Sequence, residues 1–162
     1  MKYRVVVITI SDKGSKGERI DTSGPALRQM LEKTFDVTGV IIVPDEFDLI
    51  ARIIREQVDE HAVDLVLTTG GTGVGPRDVT PEATRSIIEK DLPGFAEAMR
   101  MESYRITPHA LISRAVCGIR GQSIIINLPG SPKAAVECLS FVEATLPHAL
   151  EKLKGSPAEC AQ

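Results

Sequence analysis

Four glycines fall within six residues of the segment LVLTTGGTGVGPRDVTPEATR (65–85): Gly70, Gly71, Gly73 and Gly75. Glycine costs conformational entropy on folding. This density therefore signals a need for positive φ or for close approach of backbone to a ligand. Amides in such a turn, just before a helix start, suit an anion such as phosphate. Arg77 and Asp78 lie in the same turn, and Asp45, in VPDE (43–46), closes another apolar run. Two carboxylates at neighbouring strand ends can hold Mg²⁺ between phosphate oxygens. A pair built for acid–base catalysis would place one partner in an apolar pocket, whereas these segments are polar.

The familiar phosphate motifs do not fit. A P-loop needs GxxxxGK[ST], and no Gly-Lys pair follows Gly70 or Gly71. A dinucleotide fingerprint follows a first strand as GxGxxG. Here the run from Gly71 reads G-T-G-V-G-P, with Pro76 in place of the last glycine. The GxSxG of a serine hydrolase is absent. His61, His109 and His148 are isolated and read as neither metal ligands nor catalytic groups. Arg114 and Arg120 read as surface charges.

These residues need elements to position them. A β-branched run over 3–11 predicts a strand buried on both faces of a parallel sheet. A helix over 22–35 follows, with Pro25 in its first turn. A strand over 37–43, a helix over 47–62 and a strand over 63–68 come next. Thr80 and Pro81 read as an N-cap hydroxyl followed by proline at the first helical position. Another helix is expected over 93–106, and a strand over 123–127. A last helix is capped by Ser131, with Pro132 after it. Alternating strands and helices predict an α/β domain with a mostly parallel sheet covered on both faces. One domain is expected over 1–154, with a loose tail over 155–162. Repeats, linkers and low-complexity segments are absent.

In such sheets ligands bind beyond the carboxyl ends of the strands. Four strand ends contribute candidates: Ser11 and Asp12; Asp45; Thr69, Gly70, Gly71, Thr72, Gly73, Arg77 and Asp78; Pro129, Gly130 and Ser131, with Lys133 one turn on. The interiors are apolar while every end is small or polar. That convergence points to a phosphate-bearing small ligand, with Mg²⁺.

Composition narrows the class. Of 162 residues, Lys and Arg number 19 against 22 Asp and Glu, for a net charge of −3. Without a basic stripe, and with two Tyr, four Phe and no Trp, a general nucleic-acid binder is not indicated. The apolar N-terminal run is short and lacks a cleavage site, so it reads as a core strand rather than a signal peptide. No segment approaches the length of a membrane span. Cys117, Cys138 and Cys160 are odd in number and far apart, as expected of a chain in a reducing cytoplasm. The start methionine and polar end suggest a free-standing protein.

Taken in order, ISDKGSKGERIDTSGPAL (10–27), IVPDE (42–46), TTGGTGVGPRDVTPEAT (68–84), LISRAVCGIRG (111–121) and INLPGSPKAA (126–135) resemble the molybdopterin adenylyltransferases, the bacterial MogA type and the G domain of gephyrin. The resemblance covers about residues 3–153. It implies a three-layer α/β/α fold and a homotrimer. It implies transfer of AMP from Mg-ATP to the terminal phosphate of molybdopterin, giving adenylyl-molybdopterin and pyrophosphate. It implies handover of that product to a molybdate-inserting enzyme. The family's two important aspartates fall on Asp45 and Asp78, which the resemblance makes catalytic and Mg²⁺-holding, directly or through water. The remaining candidates would bind ATP and molybdopterin. A MoaB-like carrier that binds molybdopterin without catalysis is the alternative, and an enzyme acting on another phosphorylated metabolite is a further one.

Overall fold

A computed structural model describes residues 2–157. In chain order the elements are β1 (Arg4–Ile10), α1 (Asp12–Ser15), α2 (Ser23–Leu31), β2 (Asp36–Val43), α3 (Phe47–Asp59), β3 (Leu65–Thr69), α4 (Thr80–Arg85), β4 (Lys90–Asp91), α5 (Pro93–Ile106), β5 (Cys117–Arg120), β6 (Ser123–Leu128), α6 (Pro132–Val142) and α7 (Leu146–Leu153). Single 3₁₀ turns span Pro108–Ile112 and Glu143–Thr145.

The six strands form one sheet in the order β2-β1-β3-β6-β5-β4. The first four run parallel, while β5 and β4 are antiparallel. The β-branched run of β1 is explained by its two covered faces. Val5 and Val7 pack with Leu27, Leu31, Met99 and Leu139, from α2, α5 and α6. Val6, Ile8 and Ile10 pack with Ile50, Ile54 and Ala83, from α3 and α4. The result is a three-layer α/β/α domain. Each fully buried Ile, Leu or Val contributes about 1.5–3 kcal/mol of transfer free energy.

Strand order fixes where a ligand can enter. The chain leaves β1 for β2 on one side, then crosses to β3 on the other. The crevice at that switch point lies between the carboxyl ends of β1 and β3. Pairing of Thr9 with Thr69, and of Thr69 with Leu128, brings three strand ends level.

Several boundaries move. The expected helices over 22–35 and 47–62 end at Leu31 and Asp59. The short α1 and the two-residue β4 have no sequence signal. The Thr80 hydroxyl does not cap a helix: Thr80 is already helical, and its Oγ1 donates to the Gly70 carbonyl at 3.0 Å. Ser131 does cap α6, accepting from the amide of Ala134 at 3.1 Å. Cys160 and most of the expected tail lie outside the described residues.

Candidate active site

Two cavities adjoin at the switch point. The first, of about 490 Å³, is bordered by Ser11, Asp45, Thr69, Gly70 and Ser131. The second, of about 440 Å³, is mostly apolar and is bordered by Thr72, Gly73, Ala96, Met99, Ile112 and Pro129. Gly71, Asp78 and Gly130 border both. The first is the more polar of the two, and two compartments of different character sharing one wall suit two ligands that meet at that wall.

Two glycines owe their identity to this junction. Gly70 has φ +106°, and a Cβ there would collide with the carbonyl oxygen of Ile10. Gly71 has φ +66°, and its Cβ would collide with Thr80 Oγ1 and come within 3.0 Å of Asp45 Oδ1. The turn is thus pressed against the end of β1 and against Asp45. The amide of Gly70 is engaged, donating to the Leu128 carbonyl at 3.1 Å, and that of Gly75 donates to Asp78 Oδ2 at 2.9 Å. The amides of Gly71, Thr72 and Gly73 make no hydrogen bond among the described residues. Those three border a cavity and are available to an anion, whereas the amides of Gly70 and Gly75 are not.

The LPGS turn after β6 is held from two sides. Thr69 Oγ1 donates to the Pro129 carbonyl and Ser23 Oγ to the Gly130 carbonyl, each at 2.7 Å. Asp45 and Asp12 are locked together. The Asp12 amide donates to Asp45 Oδ2 at 2.9 Å, and the Asp45 amide to Asp12 Oδ1 at 3.0 Å. Arg77 closes the group by donating to both Asp12 oxygens, at 3.0 and 2.9 Å. That hydrogen-bonded guanidinium holds the Asp12 carboxyl below the usual aspartate range. Asp45 is pushed the other way, first by desolvation and then by the negative charges of Asp12 and Asp78.

A half-buried carboxylate facing a second negative charge is a place that a cation would relieve. Among the described residues no three His, Cys, Asp or Glu side chains gather as a metal cage. Two carboxylates beside unengaged amides instead fit a Mg²⁺ that arrives with phosphate and keeps most of its oxygen ligands from phosphate and water.

Of the residues expected from sequence, Asp12, Arg77 and Lys133 do not border either cavity. Asp12 and Arg77 act on Asp45 from outside. The Lys133 side chain is 84% exposed and lies 3.9 Å from Glu137. The sequence reading missed Asp21, which borders the polar cavity, accepts from Thr9 Oγ1 at 2.8 Å and accepts from the Gly24 amide at 3.1 Å. Its signal was the Asp three residues before a glycine at a helix start. His109, read as isolated, borders the apolar cavity.

Comparison with known proteins agrees with this geometry. Residues 6–148 match the family model described as "Probable molybdopterin binding domain". The chain is 44% identical over 156 residues to a molybdopterin adenylyltransferase of Helicobacter pylori, covering 93% of this chain and 87% of that protein. It is 49% identical over 146 residues to the molybdenum cofactor synthesis protein cinnamon of Drosophila melanogaster, covering 89% of this chain but 24% of cinnamon. The crystal structure of the molybdopterin biosynthesis enzyme MoaB of Thermus thermophilus superposes with a TM-score of 0.90 at 48% identity, covering 97% of this chain and 99% of that one. With the family model spanning most of its length, the chain belongs to the molybdopterin-binding family of molybdenum cofactor biosynthesis.

Proposed function

We propose that the protein is a molybdopterin adenylyltransferase that transfers AMP from Mg-ATP to the terminal phosphate of molybdopterin. The observation that carries this reading is the placement of Asp45 and Asp78 on one cavity, with Asp78 also bordering the second. Relatives bearing this activity in their names match nearly the whole chain. An oxygen of the pterin's terminal phosphate attacks the α-phosphorus of ATP. The bond from that phosphorus to the β-phosphate oxygen breaks, and pyrophosphate leaves.

Two phosphorylated substrates bring much negative charge together, so the work of the site is positioning and neutralisation. The amides of Gly71, Thr72 and Gly73 cradle phosphate at the shared wall. The polar cavity takes phosphates, and the apolar cavity takes a flat heterocycle between Met99, Ile112 and Pro129. Asp45 and Asp78 would hold Mg²⁺, which when bound neutralises phosphate oxygens. Arg77 keeps Asp12, and through it Asp45, in place.

The chain assembles as a homotrimer, acts in the cytoplasm and hands its product to a molybdate-inserting enzyme. Exposed Met101, Tyr104 and Leu111, on α5 and the 3₁₀ turn after it, offer apolar surface for such assembly. No described helix is long and apolar enough to cross a membrane.

The test is to incubate the protein with molybdopterin and ATP labelled at the α-phosphate, with Mg²⁺, and to isolate the pterin. Label on the pterin phosphate is expected. Tight pterin binding without label transfer would place the protein among non-catalytic carriers.

A further inference from the structure

We infer that Arg114 is a positioning residue for the reaction proposed above, fixing the backbone that carries Asp78 rather than serving as a surface charge. The inference rests on that functional reading. Arg114 stands between the 3₁₀ turn and β5, outside both cavity linings. Its own amide donates to the Thr72 carbonyl at 2.9 Å. Its Nε donates to the Gly73 carbonyl at 2.6 Å and its Nη2 to the Asp78 carbonyl at 2.8 Å. Its Nη1 pairs with the Glu82 carboxylate on α4.

One planar group thereby ties the start of the turn, its end and the following helix. Thr80 closes the base of the turn, its amide donating to the Gly71 carbonyl at 3.1 Å and its Oγ1 to the Gly70 carbonyl at 3.0 Å. Within it, the Asp78 amide donates to the Gly75 carbonyl at 3.0 Å, and the Gly75 amide donates to the Asp78 side chain. Val74 at its tip is 69% exposed, and the nearest apolar anchor is Val79, packed against the core just after Asp78. A ligand that draws the Asp78 carboxylate away from the Gly75 amide would leave the Arg114 bonds as the only side-chain hydrogen bonds, among the described residues, to the Gly73 and Asp78 carbonyls, with Val79 and Thr80 holding the residues that follow. The guanidinium fork suits two carbonyls in a way that a point-charge ammonium does not.

Arg120 provides a matched control. It also pairs with a carboxylate, Asp59, and donates to a carbonyl, that of Ile87 at 3.0 Å, away from both cavities. The experiment compares R114A, R114K and R120A with the parent protein, reading steady-state AMP transfer and, without substrates, amide hydrogen exchange at Gly75 and Asp78.

R114A is expected to lower kcat about a hundredfold, the scale of a catalytic group misplaced by about 1 Å, with the KM for molybdopterin moved less than about threefold. R114K should stay closer to R114A than to the parent, and added guanidinium ion should restore part of the R114A rate. Both Arg114 variants should speed exchange at Gly75 and Asp78, and R120A should not. R114K carries the comparison if R114A does not fold. Unchanged exchange in the Arg114 variants, parent-like kcat in R114K, or a raised KM with kcat intact would each overturn the role. Faster exchange in the Arg114 variants alone, with no transfer by the parent protein, supports the clamp on the turn and counts against the adenylyltransferase reading instead.

Discussion

Asp12 and Asp45 bind each other's backbone: each carboxylate accepts from the other's amide, at 3.0 and 2.9 Å. Two loops that follow different strands are thereby tied at the mouth of the polar cavity. The tie brings two acidic groups together, and their ionisation is pushed in opposite directions. Two predictions come from that opposition.

Asp45→Asn should stabilise the protein at neutral pH while removing turnover. Burial and the neighbouring carboxylates raise the Asp45 pKa above its ordinary 3.8, so the folded state holds this proton more tightly than the unfolded state. The stability contributed by the group is full below the ordinary value and is lost as pH rises through the folded pKa. Asn keeps an oxygen able to accept from the Asp12 amide and lacks the charge. A higher Tm for D45N at neutral pH is expected, with the gain vanishing below about pH 4. AMP transfer should fall by about a hundredfold or more, the loss seen when a charge-stabilising group is removed. A thermal melt series against pH checks the first part, and label transfer the second.

Arg77→Ala should behave with the opposite sign. Asp12 lies below 3.8 because Arg77 donates to it, so its contribution is present above the ordinary value and lost as pH falls through the folded pKa. R77A should melt lower than the parent at neutral pH, and the two curves should converge in acid. Parallel curves down to the acid limb would show that the pair adds nothing.

Asn127 is expected to matter for stability more than its place at a strand end suggests. It is fully buried, its Nδ2 donates to Thr68 Oγ1 at 3.0 Å and to Thr84 Oγ1 at 2.9 Å, and its Oδ1 accepts from the Val116 amide at 3.1 Å. Asn127→Ala leaves that buried amide without its acceptor and opens a cavity, a loss of about 3 kcal/mol. Urea unfolding measures it.

Gly71→Ala tests the fit of the turn. A methyl group at φ +66° is strained, and it would displace both Thr80 and Asp45. A cost of about 1–3 kcal/mol is expected, with loss of transfer activity even where the variant is folded. The folded fraction and the rate should be read on the same sample.

The parallel half of the sheet was legible because β1, β3 and β6 are buried on both faces and read as unbroken apolar runs. The antiparallel half was not. Cys117–Arg120 is short, and its partner, Lys90–Asp91, is two exposed polar residues placed by tertiary contact. The Thr80-Pro81 pair looked like a cap because local rules see only the helix. The turn 10 residues upstream claims the Thr80 hydroxyl instead. The polar strand ends could be listed from the sequence and converge on one cleft. The apolar cavity could not, because Ala96 and Met99 carry the same helical periodicity whether they face a core or a ligand. Arg114 likewise looked like any surface arginine, since its partners are two backbone carbonyls and the distant Glu82, which no pattern marks.

The most direct test of the account is pyrophosphate release from Mg-ATP, with and without molybdopterin, by the parent protein and by Asp78→Asn. The account predicts pterin-dependent release by the parent and its near-complete loss in D78N, with pterin binding retained. Full release by D78N, or none by a parent protein that binds the pterin, would contradict it.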